Sequence, residues 1–428
     1  MNKKLIVLAV AGACAAPALA LAQASTVQIY GVMDGSYEQV SASGATGANQ
    51  YASRGRIATN SSLLGFKGTE KLGSGLSAIW QLENQISLDG VGGNNTQTMP
   101  NGWNTRDTFV GLPGSFGQAK VGFLSTPHRL TLVKFDVMPG ATGPGSSLNY
   151  IGRVNVGAAF NPLNVATNTT ANTFGTTNGL ANNVGTVFRS QQIAYSTPSF
   201  NGFSAMAAYT PNESRGNVAL GAGQARLDPN LWNLAGFYDN GPLSLGVSYV
   251  KLNDWTTQSL TSANLTALGL TGREDTRNWI LGASYAFGAT KVSVMYDRVD
   301  SDFSLAGGGN ANLKRNNWYL GAKHTAGAHE IAGTYTRFGD NGVSGRTLAA
   351  NQTYGQSGAA AYVLRYGYNF SKRTQLYAVY ADIRNKANGN FEMSAIDPML
   401  GGGTGGGAGV INAGADPQVI GIGVRHTF

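Results

Sequence analysis

The sequence VIGIGVRHTF, residues 419–428, closes the chain with the two-residue period of a β-strand. Ile420, Ile422, Val424 and Phe428 share one face, and small or polar residues alternate with them on the other. A regular strand with an aromatic last residue is unusual in soluble domains, whose termini tend to fray. The pattern is typical of a closed membrane barrel, in which the last strand pairs with the first.

The other end of the chain has the composition of a secretory signal. Lys3 and Lys4 precede an apolar run that is too short to span a bilayer, and the small-residue sequence APALALAQA follows at 16–24. We therefore expect residues 1–24 to be a signal peptide and residues 25–428 to form the exported domain. The single cysteine, Cys14, falls within the signal, so the mature chain would contain no cysteine, which suits an oxidising compartment.

Composition narrows the class of protein further. The chain has 60 glycines in 428 residues, and only 12% of its residues are charged, about half the fraction of ordinary soluble proteins. After residue 24 no apolar run is long enough for a transmembrane helix. The formal net charge is +8, but no run of lysine and arginine suggests a partner of the nucleic-acid class. Together these features favour a transmembrane β-barrel.

Strand-like segments recur along the chain, and the spacers between them alternate between short and long. The longest interruption runs from Ser125 to Val187. Sixteen strands are counted, which predicts an all-β, 16-stranded antiparallel transmembrane β-barrel with an aqueous lumen. Sandwiches and propellers also have many short strands, but they do not require this alternation of spacers. The later strands are expected near 277–287, 290–299, 315–324, 329–338, 360–370, 373–384 and 418–428.

Several motifs resemble one known family. The segments concerned are QIYGVMDGSYE (28–38), LGFKGTEKLGSGLSAIWQLE (64–83), FVGLPGSFGQAKVG (109–122), YSTPSFNGFSA (195–205), YNFSKRTQLYAVYADIRN (368–385) and GVRHTF (423–428). In these segments the chain resembles the trimeric general porins of β-proteobacteria, of the Neisseria and Burkholderia type. The similarity covers most of the barrel and is weak in the long loops.

The resemblance implies a homotrimer whose third extracellular loop, here 125–187, folds into the lumen and forms a constriction. Expected partners are small hydrophilic solutes, outer-membrane lipid and lipopolysaccharide, and the outer-membrane insertion machinery, which would read Phe428 as an assembly signal. The family commonly has arginine where this chain has Leu63 and Phe123. Because those arginines belong to a basic wall facing the loop, their absence makes strong anion selectivity doubtful.

Charged residues in the expected third loop and on the polar strand faces are candidates for the constriction. We expect Asp34 and Glu38 to lie nearer the strand ends and Arg54 and Arg56 to be rim or loop residues. A narrow lumen lined by such charges would bias which ions enter. The loop candidates are His128, Arg129, Lys134, Asp136 and Arg153, and the wall candidates are Lys67, Glu83, Lys323 and Arg365.

An enzyme is not expected. Three of the four histidines, His324, His329 and His426, fall on the lipid side or in a turn, and no G-x-S-x-G motif accompanies His128. No cluster has metal-ligand spacing, and no cofactor is expected. The sequence therefore predicts an outer-membrane channel for passive diffusion of ions and small hydrophilic solutes, with weak anion preference. A solute-selective channel, or a surface adhesin or antigen that acts through its long loops, remains the alternative.

Overall fold

The computed structural model describes residues 26–44, 51–88, 106–138, 143–149, 151, 189–213, 215–217, 221–255, 265, 269–345, 355–389, 391, 393 and 414–428. The expected signal peptide at 1–24, the candidate Arg153 and the glycine-rich stretch 401–409 lie outside these residues. In the described ranges, no helix is long and apolar enough to cross a membrane.

The described residues form one antiparallel sheet of eighteen strands. Those before residue 241 are β1 (Thr26–Ser43), β2 (Tyr51–Thr59), β3 (Leu63–Gly73), β4 (Leu76–Gln85), β5 (Thr108–Gly114), β6 (Gly117–Ser125), β7 (Arg189–Ser196), β8 (Phe203–Thr210) and β9 (Asn230–Asn240). Those after it are β10 (Leu243–Asn253), β11 (Leu270–Phe287), β12 (Thr290–Leu305), β13 (Asn310–Ala326), β14 (His329–Phe338), β15 (Gly342–Ser344), β16 (Ala359–Asn369), β17 (Thr374–Asn385) and β18 (Asp416–Thr427). One helix, α1 (Pro127–Phe135), and a short 3-10 turn (Ser147–Asn149) follow β6.

At two places in the sheet, two short strands lie end to end and together occupy the position of one strand. β2 and β3 both pair with β1, β2 along Gly35–Ala42 and β3 along Thr26–Val32. β14 and β15 pair with successive parts of β13 in the same way. The eighteen strands therefore occupy sixteen positions, and the prediction of a 16-stranded antiparallel barrel is confirmed.

The first and last strands close the barrel. β1 pairs with β18 from Val32 opposite Thr427 to Ser43 opposite Asp416. The backbones of Gly31 and Phe428 then exchange two N–H to carbonyl hydrogen bonds, both 3.1 Å. A Cβ atom at Gly31 would lie 2.3 Å from the Phe428 ring, so the terminal ring needs a glycine beneath it.

The two faces of the sheet differ in chemistry. The outward face exposes large apolar side chains, such as Ile420 at 64% and Leu364 at 57%. The inward face buries polar ones, including Asn233, Asp297 and Arg315. Because lipid contacts only the outer surface, this inverted distribution is that of a transmembrane barrel with a polar interior.

Strands β11, β12 and β13 are longer than their apolar alternation predicts. β11 begins at Leu270 instead of near 277, and β13 begins at Asn310 instead of near 315. The added residues lie on one side of a row of paired aromatics, among them Tyr249–Trp279 with ring centroids 4.4 Å apart. There the strands are polar and held by the backbone ladder and outward ion pairs, so no hydrophobic pattern marks them.

Candidate functional site

Helix α1 packs against the inward faces of β8 to β12. Pro127 occupies its first turn, and the Thr126 side chain accepts a hydrogen bond from the Arg129 N–H at 3.2 Å. Both features favour a helix start. At the other end the Asp136 N–H donates to the Leu132 carbonyl at 3.0 Å. The sequence therefore defines a short, capped helix immediately after β6.

A slot of two glycines in the barrel wall receives the helix. Gly246 on β10 and Gly282 on β11 are direct cross-strand neighbours. A Cβ atom at Gly246 would lie 2.6 Å from the Phe135 ring, and one at Gly282 would lie 2.3 Å from it. The carbonyl of Phe135 also accepts a hydrogen bond from Ser293 Oγ at 2.6 Å. The Phe135 ring can approach this closely only because both wall positions lack a side chain.

His128 also faces the wall. It is fully buried, and its Nδ1 lies 2.7 Å from Ser248 Oγ on β10. Burial lowers the pKa of His128 to about 3. A neutral imidazole held in this way positions the helix and does not face the aqueous channel.

Asp136 organises the chain that follows the helix. Its carboxylate accepts hydrogen bonds from the Met138 N–H at 2.9 Å, the Ser147 N–H at 2.7 Å and the Tyr319 hydroxyl at 3.1 Å. Burial raises the pKa of Asp136 despite these hydrogen bonds. This candidate therefore joins the helix, the 3-10 turn and β13.

Five charged residues meet where the helix leaves the wall, and we call them the entrance cluster: Glu83, Arg106, Asp107, Arg129 and Arg189. Arg106 forms an ion pair with Glu83, and Arg189 forms one with Asp107. Burial lowers the pKa of Arg129, and the nearby charge of Arg189 lowers it further. Burial favours a higher pKa for Asp107, but Arg189 and Arg129 hold it below the usual value. The cluster has three guanidinium groups and two carboxylates.

Three lysines follow the wall at the C-terminal end of α1, and we call Lys134, Lys291 and Lys323 the lysine row. Lys134 Nζ lies 2.7 Å from Asp239 Oδ1. Lys291 Nζ donates to the Lys134 carbonyl at 3.2 Å, and Lys291 lies directly opposite Lys323 in the β12–β13 register. Lys323 Nζ is 3.7 Å from Glu330. Three positive charges therefore have two carboxylates nearby.

The opposite wall has a buried network centred on Asp34. The Tyr377 hydroxyl donates to Asp34 at 2.7 Å, Asn60 donates to the Tyr377 hydroxyl at 2.8 Å, and Arg425 Nη1 lies 3.2 Å from Asp34. The Arg365 guanidinium stacks over the Tyr377 ring at 4.1 Å. The expectation that Asp34 lies near a strand end is wrong, because it lies midway along β1, opposite the break between β2 and β3.

The chain after α1 reaches this second wall. A Cβ atom at Gly145 would lie 2.6 Å from the Val363 side chain on β16, and one at Gly143 would lie 3.2 Å from the Asn60 side chain. Met138 belongs to the same buried apolar cluster as Val379 on β17. Residues 127–138 and 143–149 therefore contact inward faces on both sides of the barrel.

Two further candidates from the sequence lie on the β1–β4 wall. Lys67 is exposed, with its ammonium 4.9 Å from the centre of the Tyr30 ring, and the Tyr30 hydroxyl donates to Glu83 at 3.0 Å. Arg56 is not a rim residue, because it lies within β2 and pairs at 2.7 Å with the buried carboxylate of Glu38. Both residues belong to the inner wall, because their partners Tyr30 and Glu38 face the lumen.

At the two positions where the family commonly has arginine, the side chains of this chain lie on different faces of the sheet. Leu63 lies opposite Gln85 on β4, on the same face as Glu83. Phe123 lies opposite Gln191 and shares its register parity with exposed Val121. At the first position the Arg106 guanidinium supplies a positive charge beside Glu83, so the wall is not uncharged there.

Sequence reasoning missed seven residues of these clusters, namely Asn60, Arg106, Asp107, Arg189, Lys291, Tyr377 and Arg425. Lys291 shares the inward parity of its neighbours, and the register opposite Lys323 would have revealed it. Arg106 and Arg189 lie at junctions of loops and strands, where alternation gives no signal. In the described part of the chain, no three His, Cys, Asp or Glu residues are placed to hold a metal ion.

Comparison with known sequences gives consistent matches. The family model for Gram-negative porin matches residues 7–388. The outer membrane porin protein 32 of Delftia acidovorans is 30% identical over 436 residues, covering 100% of both chains. The major outer membrane protein P.IB of Neisseria meningitidis serogroup B is 37% identical over 129 residues, covering 29% of this chain and 34% of that protein.

Comparison with solved structures agrees. An anion-selective porin from Comamonas acidovorans matches with a TM-score of 0.65 and 25% identity, covering 95% of this chain and 100% of that one. The outer-membrane OmpT of Vibrio cholerae matches with a TM-score of 0.56 and 13% identity, covering 95% of this chain and 98% of that one. The second match bears on the fold alone.

Proposed function

Because this chain belongs to the Gram-negative porin family, it forms a passive diffusion channel in the outer membrane, and we propose that residues 127–149 form its constriction. One observation carries this proposal, namely the docking of Phe135 into the slot of Gly246 and Gly282 on the inner wall. A segment held there, and again at Val363, narrows the aqueous path between two walls.

We infer that ions and small hydrophilic solutes pass with a weak preference for anions. The entrance cluster contains one more base than acid, and the three lysines of the lysine row have only two carboxylates nearby. A narrow lumen with low-dielectric walls concentrates the field of this excess positive charge. The related Comamonas porin is described as anion-selective. With Leu63 where the family commonly has arginine, the wall carries less positive charge, and Arg106 restores part of it. This balance favours a modest anion selectivity.

The candidate residues then have two kinds of role. Lys134, Lys323 and Lys67 are at least partly exposed and would act on passing ions directly. His128 and Arg129, with Glu83 and Arg365 on the walls, are buried, and Asp136 is half-buried. These five residues would hold the constriction in place. Arg153 is proposed for the pore from the sequence alone.

The reversal potential in a planar bilayer under a KCl gradient tests this proposal. Wild type should show a potential of the sign for chloride preference. The variant Lys291→Glu/Lys323→Glu should shift it toward potassium preference, because four units of charge change inside the lumen. The matched variant Lys372→Glu/Arg373→Glu in the turn between β16 and β17 makes the same charge change away from α1 and should shift it less. Equal shifts in the two variants would contradict the assignment of the lysine row.

We also propose the assembly implied by the family. The mature chain would start after a signal peptide at 1–24, form a homotrimer, and contact outer-membrane lipid and lipopolysaccharide. The relatives are channels, and we assign no catalytic step to this chain. Crosslinking of the purified protein, followed by electrophoresis without heating, should give a trimer band, and a monomer as the only species would contradict the trimer.

Phe428 is proposed as the signal read by the insertion machinery. Deleting it should reduce the amount of protein in the outer membrane severalfold, while channels that do insert keep nearly normal conductance. The variant Gly31→Val removes the space beneath the Phe428 ring but keeps Phe428 in the chain. It therefore distinguishes an effect of ring packing from an effect of recognition by the insertion machinery. Normal surface levels of the deletion variant would contradict this role.

A further inference from the structure

Helix α1 turns an apolar face away from the wall that holds it. His128, Thr131, Leu132 and Phe135 lie on the wall side and are buried. Leu130 remains 36% exposed and Val133 41% exposed. Positions i and i+3 share one face of a helix, so these two aliphatic side chains form a small apolar patch opposite the wall.

Lys134, at i+4 from Leu130, extends this patch toward the lysine row. The patch consists of Leu130, Val133 and the stem of Lys134, and we call it the apolar face of α1. The Lys134 side chain is about a third exposed, like that of its partner lysine Lys323. The face therefore combines aliphatic surface with an ammonium group at one end.

Positive charge next to this face is incompletely neutralised. Asp239 contacts Lys134, and Glu330 is shared between Lys323 and Arg365 at 3.7 and 3.6 Å. Lys291 donates to the Lys134 carbonyl and forms no salt bridge within the described residues. An anion that approached the apolar face would find an ammonium group with spare hydrogen-bond donors.

A helix that serves only to narrow a path for inorganic ions gains nothing from exposed leucine and valine. Aliphatic surface in contact with water is unfavourable, and contact with another apolar group relieves that cost. The same surface beside lysines complements a molecule that is charged at one end and apolar at the other.

We propose that the apolar face of α1 and the lysine row form a transient contact site for small carboxylates that carry an apolar group. The carboxylate would lie toward Lys134 and Lys291, and the apolar group against Leu130 and Val133. This inference rests on the proposed constriction at residues 127–149. Contact must be weak and brief, because a solute that binds tightly does not leave the channel.

Reversal potentials of the whole protein in planar bilayers at pH 8 test this site. The probes are sodium butyrate and sodium threonate, two carboxylates with the same carbon chain that differ in three hydroxyl groups. Wild type should favour butyrate by about fourfold, the effect of burying roughly one methylene group. A protein-free bilayer measures any direct leak of butyrate.

The variant Leu130→Ser/Val133→Thr should bring the ratio of butyrate to threonate permeability close to one and keep the sign of the chloride preference. Both side chains are exposed, so the variant should still fold, which heat-modifiable electrophoretic mobility checks. Leu63→Ser, on the wall of β3, is the control and should keep the wild-type ratio. A wild-type ratio near one, or an unchanged ratio in the folded double variant, would overturn the proposal.

Failure of this site can be distinguished from failure of the proposed channel. If chloride preference responds to Lys291→Glu/Lys323→Glu but the butyrate ratio does not respond to the α1 variant, only the contact site is wrong. If neither variant changes permeation, residues 127–149 are not the constriction.

Discussion

Two inner walls hold residues 127–138 and 143–149, and they do so by different physical means. The wall of β10 and β11 holds Phe135 by shape, through the slot of Gly246 and Gly282. The wall of β1 and β16 to β18 is built around charge, with Asp34 held by Tyr377 and Arg425. The first wall contacts the helix directly, and the second provides a rigid surface for the chain beyond it.

The difference predicts how each wall responds to change. A slot without side chains is sensitive to added volume and insensitive to salt. A buried charge network is sensitive to loss of one partner, because the remaining charges stay buried without compensation. Variants of the charged wall should therefore change mainly the free energy of unfolding, whereas variants of the glycine slot should also change conductance.

The largest effect is expected for Asp34→Ala on the charged wall. Removal of the carboxylate leaves the Arg425 guanidinium without its carboxylate partner and the buried Tyr377 hydroxyl without its acceptor, and the free energy of unfolding should fall by about 3–5 kcal/mol. Urea-induced unfolding of the protein in detergent measures this loss. Asp239→Ala, which breaks the exposed pair with Lys134, is the control and should cost about 1 kcal/mol or less. Equal losses would show that the Asp34 network is not a buried one.

Gly282→Val tests the wall that acts by shape. The added side chain would occupy the position of the Phe135 ring, so overpacking should cost about 1–3 kcal/mol. The helix should also move from the wall, which changes single-channel conductance. Gly236→Ala is the control, because its Cβ would meet only Val247 at 3.7 Å on the outer face. Unchanged conductance together with unchanged stability in Gly282→Val would contradict the docking of α1.

A smaller effect is expected from pH, through His128. Its pKa is about 3 in the folded protein against 6.5 unperturbed, so between these values the unfolded chain binds a proton that the folded chain does not. Stability therefore falls as pH decreases from 6.5 toward 3, by up to about 1.4 kcal/mol per pH unit. At pH 5 the loss should be about 2 kcal/mol larger in wild type than in His128→Gln. Parallel pH profiles would show that His128 is not buried as a neutral group.

The sequence was sufficient for the barrel but not for its polar extensions. Alternation identified sixteen positions and the inward parity of Lys323 and Arg365, because lipid on one side imposes a period of two. It placed the start of β11 too late, because the outward residues beyond the aromatic row, Asp275 and Arg277, are charged and break the apolar alternation. It also missed the division of one position into β2 and β3, where Asn60 and Ser62 hydrogen-bond to Asp34 across the break.

For the candidate site, the sequence predicted the segment but not the direction of its side chains. Residues 128–136 were identified as charged and close to the pore, yet His128 and Arg129 are buried, Asp136 is half-buried and Lys134 is partly exposed. The rotation of α1 depends on the slot for Phe135, and that slot is formed by glycines far away in the sequence. Leu130 and Val133, the residues on the open face, carry no charge and gave no signal.

Access to Leu130 tests the proposed constriction most directly. The variant Leu130→Cys places a thiol on the open face of α1, in a chain whose single native cysteine, Cys14, lies in the expected signal peptide. Reaction with a membrane-impermeant thiosulfonate that carries a sulfonate group should lower single-channel conductance in steps and weaken anion preference. Leu364→Cys, on the lipid-facing side, is the control and should show neither change. Complete labelling of Leu130→Cys with unchanged conductance would contradict the placement of α1 in the ion path.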